Sequence, residues 1–461
     1  MSETTLPPSR ARDRAMSHPL VRSTIGRLPP GALLLAVLTF ASYVMGLLRD
    51  RAFARTFGAG SDLDVYNAAL VLPELVLDVL VFAGLSAAFV PVLLRTERDD
   101  PLASPAFTRT ILTTAFVVMS VAVAVLFVIA PWTVQWVAPG FDAQQAALYT
   151  SLFRQMCLTA LVFAVSFALG ELLVARQRFL AYGIAPLLYN LGIVLGALIL
   201  GPRMGIEGVA VGTLVGSLLH LGVRVVGARR SGFRYRPAWA VRTTEFREYL
   251  RLSIPRAIAQ PIEAITFLFF TSVASGMAAG SVSSVSFARN FQSVPVSLIG
   301  IAFSVAAFPV LSQVAATGDR IRFGRLVRDN VLTIGVLSVI AGVALALVAG
   351  LAIRLLLAGD AFDDSDVAMT TALLVAFALS VPLEALSHLL SRSVFATHET
   401  VLPVIASVTG LLTVIVTVWA LRPEQGLVAL PLGFAAGMAV RLVILALALR
   451  HRIRIMGTPT D

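Results

Sequence analysis

The sequence contains no lysine, one cysteine and little charge of either sign. Charged residues make up 13% of the 461 positions and hydrophobic residues 57%, where soluble domains carry about a quarter charged. Mean hydropathy is +0.87. In water such a chain would expose large apolar patches and aggregate, so the charge deficit excludes a soluble globular protein. The single cysteine, Cys157, lies inside an apolar run, which excludes a disulfide framework and a thiolate metal site. His18, His220, His388, His398 and His451 lack ligand spacing, so neither a metal nor another cofactor is expected. G-x-S-x-G, H-E-x-x-H, a phosphate-cradling glycine loop, a Cys/His pair and a pore-type filter are all missing. The chain is therefore not expected to be an enzyme. The net charge of +10 would suggest nucleic acid in a soluble protein. Here the arginines sit between hydrophobic runs, so topology explains them and no nucleic-acid partner is expected.

What is present is a series of apolar runs long enough to span a bilayer, each near the ~20 residues a spanning helix needs. They cover roughly 31–48, 65–94, 109–130, 151–175, 183–201, 205–228, 248–270, 283–313, 328–357, 367–390, 402–421 and 426–449. The expectation is an all-α integral membrane protein with about twelve spans. Residues 1–30 read as a disordered basic tail. The run that follows is too long for a signal core and lacks an A-x-A-like site. The connections alternate in charge. One set carries Arg95/Arg98/Arg109, Arg176/Arg178, the Arg224–Arg251 stretch, Arg320/Arg322/Arg325/Arg328, Arg392 and Arg450/Arg452/Arg454. The other, 131–150, 271–282 and 358–366, is neutral or acidic. The positive-inside rule puts the first set and both termini in the cytoplasm.

The polar stretch 229–247 divides six spans (31–228) from six (248–450), leaving a short tail at 451–461. The halves resemble each other. Ala59-Gly60-Ser61 recurs as Ala279-Gly280-Ser281, and Ala87-Ala88-Phe89-Val90-Pro91 as Ala306-Ala307-Phe308-Pro309. Two further matched points lie downstream, at offsets of about 216 to 222. An even number of spans per repeat gives both repeats one orientation. Two parallel six-helix lobes should then flank a central cavity, as in several transporter folds.

Ionisable residues in or beside spans are costly and point to function. The first cluster is Arg49, Asp50, Arg51, Asp64, Glu74 and Asp78. Arginine suits phosphate through its two-pronged donor geometry. Arg51 and Arg55 read as helix-end charges snorkelling to headgroups. Glu74 and Asp78, four apart, share a helical face. They either meet a cation or proton in a cavity or pair with an arginine of another span. The second cluster is Arg256, Glu263, Arg289 and Asn290, where a Glu263–Arg289 salt bridge is the structural alternative. Glu171, Glu384, His388 and Arg392 form a weaker third group. Asp64, Glu74, Asp78 and Glu263 are the residues expected to couple an ion. Moving one charge through 100 mV supplies about 2.3 kcal/mol, so membrane potential, a proton or sodium would each suffice as a driving force.

An ordered set of motifs resembles the MurJ/MviN family, the lipid II flippases of the MOP superfamily, from about residue 30 to 452. It comprises Gly46-Leu47-Leu48-Arg49-Asp50, Phe57-Gly58-Ala59-Gly60, Asp64, Leu72-Pro73 and Leu85-Ser86-Ala87-Ala88-Phe89-Val90-Pro91-Val92. Val137-Ala138-Pro139-Gly140-Phe141, Arg178-Phe179, Ala185-Pro186 with Asn190, Pro255-Arg256, Val294-Pro295, Phe308-Pro309 and Arg392-x-x-Phe395-Ala396 follow in order. The resemblance implies a MOP/MATE-like fold in the bacterial cytoplasmic (inner) membrane. It also implies inner-to-outer-leaflet movement of undecaprenyl-pyrophosphate-linked disaccharide-pentapeptide by alternating access through an Arg-lined cavity. It carries over Arg49 and Asp50 to the substrate cavity, with Arg49 as a pyrophosphate contact, matches Asp64, and makes Arg256 a cavity cation; Arg289 and Asn290 join the expected cavity from the second cluster, the arginine standing one position earlier than in the family. A monomer associated with the cell-wall synthesis machinery is expected.

The chain departs from the family at Leu77-Asp78-Val79-Leu80-Val81-Phe82-Ala83-Gly84, where members often carry R-R-x-F-A-E-G-A, and at Tyr43, which replaces an arginine. Many members have fourteen spans, the last two lining a groove for the lipid tail; the count here is twelve. Two other readings compete. One is an exporter of another polyprenyl-linked glycan or of a cationic small molecule. The other is a cell-wall scaffold that transports nothing.

Overall fold

The computed structural model describes residues 30–82, 85–100, 103–259 and 261–456, and the side chains of these except 30–33, 82, 86, 87 and 255–259. The basic tail 1–29, residues 457–461 and the Arg256 side chain lie outside that set. Among the described residues every regular element is a helix, with no strand. Helix α1 (Pro30–Phe57) leads to α2 (Ser61–Leu77), which continues through π turns at Asp78–Phe82 and Leu85–Phe89 into α3 (Val90–Asp99). Then come α4 (Ala103–Val137), α5 (Ala143–Ala175), α6 (Phe179–Leu195) and α7 (Ile206–Arg230). A non-helical segment, 231–243, leads to α8 (Thr244–Ala259) and α9 (Ile262–Ser275). Helix α10 (Ser281–Pro295) passes through a π turn at Val296–Ile301 into α11 (Ala302–Ala316). The chain ends with α12 (Arg320–Leu357), α13 (Asp364–Ala378), α14 (Ser380–Ala396), α15 (Val401–Gln425) and α16 (Ala429–Ile455).

Among the described residues seven helical stretches are long and apolar enough to cross a membrane, and the pair α13 and α14, bent by 41°, makes an eighth. One of the seven, Val401–Ile455, comprises α15 and α16, separated at Gly426 (φ +54°). The expected twelve therefore also requires α15 and α16 to cross separately, and α1, α2 with α3, and α8 with α9 to cross as well.

The helices sort into two lobes, α1–α7 and α8–α16. In the first, α6 lies along α7, and α5 packs on α2, α4 and α7. In the second, α15 lies along α16, and α14 packs on α12 and α16. Between lipid-soluble helices the attraction is van der Waals contact, so small residues at the seam bring backbones close. At the α6–α7 seam a Cβ added to Gly216 would stand 2.4 Å from the Tyr189 carbonyl oxygen, and one on Gly212 2.6 Å from that of Gly192.

The repeat read from the sequence is visible in three dimensions. The two Ala-Gly-Ser turns touch: a Cβ on Gly280 would lie 1.8 Å from the Ala59 carbonyl oxygen. Asp64 bonds to Ser283, 219 residues away. Residues beside a twofold axis meet their own equivalents, as parallel repeats around a membrane-normal axis require. The prolines also correspond. Pro73 inside α2 and Pro295 at the end of α10 each precede a π turn, Asp78–Phe82 and Val296–Ile301. A proline removes one backbone donor and crowds the preceding turn, and a π turn is one way the helix absorbs the mismatch.

Candidate functional site: a charged cavity between the lobes

A cavity of about 550 Å³ separates the lobes, lined from α1, α2, α6, α9 and α10. Arg49, Asp50, Glu74, Asp78, Glu263, Arg289 and Asn290 all line it. The sequence thus identified seven of its charged or amide groups from two clusters 200 residues apart in the chain. It missed the aromatic wall of Phe53, Tyr66, Tyr189, Phe267 and Phe270, because an aromatic in an apolar span carries no signal that separates cavity from core.

On one wall, Arg49 donates Nε and Nη2 to Asp50 Oδ1 at 3.1 and 2.9 Å and Nη1 to Asn190 Oδ1 at 3.3 Å. Its side chain stays 25% exposed, so part of the guanidinium faces the cavity. Asp50 is buried, and its other oxygen accepts from Asn290 Nδ2 of the opposite lobe at 2.9 Å. Arg49, Asp50 and Asn290 thus form a polar bridge from lobe to lobe.

Arg289 stands on the other wall between the Phe267 and Phe434 rings, 5.0 and 5.1 Å from their centroids. Its guanidinium forks onto Glu384 at 2.8 and 2.9 Å and reaches Glu263 at 2.9 Å. Gln292 accepts from Arg289, and its amide donates to Glu384 at 2.9 Å and Ser380 at 3.1 Å. The salt-bridge alternative for Glu263 and Arg289 is what the structure contains. Arg289 is committed to internal carboxylates, so Arg49 is the more available cation. Gln292 escaped the sequence reading although it lies three residues from Arg289, one helical turn away. Glu171, grouped with Glu384 and His388, sits on α5 in the other lobe and takes no part in this network.

Glu74 and Asp78 line the cavity and form no hydrogen bond or ion pair with another described residue, so of the two readings the salt bridge to an arginine of another span is not found among them. Asp64 lies outside the cavity lining, in a seal at the Arg-poor end. Its carboxylate accepts from Gly280 N and Ser283 N at 2.7 Å each and from Ser283 Oγ at 2.6 Å. It caps α10, where a carboxylate complements the positive helix end. Gly280 needs its left-handed φ of +85° to offer that N–H. Around it, Ala59 N donates to Asp366 at 3.2 Å and Gly140 N to Ser275 Oγ at 3.2 Å.

Arg51 departs from expectation. It does not snorkel but donates to the Leu355 and Leu356 carbonyls at 2.8 and 3.1 Å, capping the C-terminal end of α12 in the opposite lobe. Arg224, read with the connecting stretch, is instead buried within α7, donating to the Ser166 carbonyl at 2.8 Å and lying over Tyr182. The open side of the cavity is the Arg-rich end, where Glu74, Asp78 and Glu263 keep partial exposure.

Two repeat-related helical lobes, sealed at one end over a charged cavity, define a polytopic membrane protein with the architecture of alternating-access transporters. The family model for the lipid II flippase MurJ matches residues 53–460, and the chain belongs to that family. It is 27% identical over 375 residues to a probable lipid II flippase MurJ of Thermotoga maritima, covering 80% of this chain and 74% of that one. With the lipid II flippase MurJ of Burkholderia cenocepacia it shares 24% identity over 426 residues, covering 90% and 82%. The fold matches a lipid II flippase MurJ in an inward closed conformation, with TM-score 0.77 and 20% identity, over 92% of this chain and 90% of that one. It equally matches an inward-facing multidrug resistance MATE transporter of the MOP superfamily, with TM-score 0.78 and 13% identity, over 91% and 96%.

Proposed function

We propose that this protein flips lipid II, the undecaprenyl-pyrophosphate-linked disaccharide-pentapeptide, from the inner to the outer leaflet of the bacterial cytoplasmic membrane. Family membership supports the substrate. The observation that carries the mechanism is the partly exposed Arg49 guanidinium in a cavity sealed at the Arg-poor end. With the Arg-rich end and both termini in the cytoplasm, this is the inward-open state. Pyrophosphate enters from the cytoplasmic leaflet and binds Arg49, with Arg256 as a second cavity cation. Breaking the Asp64 and Asp50–Asn290 contacts then opens the opposite side. Asp64, expected to couple an ion, reads better as the latch of that gate. Glu74 and Asp78, which form no ion pair among the described residues, are the groups to couple a proton or sodium, and Glu263 follows only if it leaves Arg289. The working unit is a monomer, associated with the machinery that consumes its product.

A second reading rests on the cavity's charge. Asp50, Glu74, Asp78 and Glu263 outnumber Arg49 and Arg289, a balance that suits a cationic cargo. Replacing the native flippase of a bacterial host with this chain tests both. Flipping of lipid II requires survival and outer-leaflet lipid II, both lost in Arg49→Ala at equal protein level. No rescue by a well-inserted protein, with resistance to cationic amphiphiles instead, would establish the second reading.

A further inference from the structure

Away from the central cavity, the first lobe carries a concavity of about 830 Å³ lined by Leu112, Phe116, Val165, Leu169, Leu221 and Val225, with Arg229 and Arg234 at one end. It shares no lining residue with the central cavity. Three stripes at helical spacing build it: Leu112 and Phe116 on α4, Val165 and Leu169 on α5, and Leu221, Val225 and Arg229 on α7. Helix α5 packs on both α4 and α7, so it forms the floor and they form the walls. The segment between the lobes straps the charged end. It leaves α7 through Gly232 (φ +87°) and is stapled along α4. Ala238 N and Ala240 N donate to Thr113 and Thr110 Oγ1 at 3.3 and 3.2 Å, Tyr235 Oη meets Thr113 Oγ1 at 3.1 Å, and Arg109 Nε donates to the Arg234 carbonyl at 3.0 Å. Neither Arg229 nor Arg234 has a carboxylate partner among the described residues.

An apolar trough in the size range of built ligand sites, about 300–1,000 Å³, ends in two unpaired guanidinium groups. That is the complement of a lipid with an acyl body and an anionic head. We propose that this groove binds one anionic phospholipid of the cytoplasmic leaflet, its phosphate held by Arg229 and Arg234. The leaflet rests on the orientation proposed above; the site itself does not. The groove shares no lining residue with the cavity that holds Arg49, so the occupant proposed here is distinct from the flipped substrate. The seated lipid would fasten the inter-lobe segment onto α4 and so act on the relative movement of the lobes.

The test is native mass spectrometry of the full chain exchanged into mixed phosphatidylglycerol and phosphatidylcholine, a readout independent of transport. The wild type should retain phosphatidylglycerol in preference to phosphatidylcholine. Arg229→Gln with Arg234→Gln should weaken retention on the order of tenfold, and Val225→Trp, which fills the trough and leaves the charge intact, should weaken it as well. Arg230→Gln removes the same charge beside the groove and should change little. The proposal is overturned if Arg230→Gln costs as much as the double change, since generic surface attraction then explains the binding. It is equally overturned if no headgroup preference exists, or if undecaprenyl pyrophosphate displaces the retained lipid from wild type but not from Val225→Trp.

Discussion

At the scale of single residues, the buried Arg289–Glu384 fork makes the sharpest prediction. Removing one member of a buried pair strands the other charge, at about 3–5 kcal/mol, so Glu384→Ala should strongly lower the melting temperature in detergent. Glu263 touches the same guanidinium but its side chain is 49% exposed. Glu263→Gln should therefore cost below about 1 kcal/mol. Equal effects in the two variants would mean that the fork is not what holds Arg289. At Arg49 the expectation is functional. Arg49→Ala strands the buried Asp50 carboxylate and should lower the melting temperature, by less than Glu384→Ala because Asn290 still donates to Asp50, while lipid II flipping falls about tenfold or more, as loss of a charged hydrogen-bond donor implies. Arg49→Lys should recover part of it, since lysine keeps the charge and loses the fork. Arg49 and Asp50 were legible in the sequence because an ionised pair at the end of a span is conspicuous. Glu384 as the partner of Arg289 was not, since 95 residues separate them.

At the scale of elements, α6 and α7 depend on contact between glycines. Gly212→Leu should destabilise by at least about 1–3 kcal/mol, the usual cost of overpacking, and reduce the folded yield. A Cβ on Gly222 of the same helix meets nothing within 4 Å, so Gly222→Leu should be neutral, a comparison read by size-exclusion profile and melting temperature. Gly208, Gly212 and Gly216 stand four residues apart in the sequence, with Gly426, Gly433 and Gly437 at the matching place in the second half. Which glycines face a neighbour became clear only once α6 lay along α7. The π turns behave similarly. Pro73 and Pro295 marked both sites, but the local ladder depends on how the neighbouring helices re-satisfy the freed groups.

At the scale of the molecule, the seal sets which end is closed. Asp64→Asn removes the charge from three hydrogen bonds across the lobes, worth about 1.5–3 kcal/mol for a charged acceptor. The closed population should fall about tenfold. Gly280→Ala should act in the same direction, because its Cβ would sit 1.8 Å from the Ala59 oxygen. In a Cys157→Ala background, a cysteine at Asn67, beside the seal, should react faster with an impermeant thiol reagent added at the Arg-poor end. Unchanged labelling in both variants would show that these contacts do not hold the gate.

The sequence by itself determined the membrane class, the two-lobe repeat and its orientation, and the charged residues that line the cavity. These follow from composition, periodicity and the cost of charge in lipid, which are properties of the chain read in order. Tertiary structure decided which charges meet. It brought Asp50 to Asn290, locked Arg289 between two glutamates, turned Arg51 into a helix cap and set Asp64 in the seal. Apart from Glu263, 26 positions from Arg289, these contacts join residues 95 to 305 positions apart. Pairing at that separation depends on how the lobes pack, which local pattern does not encode.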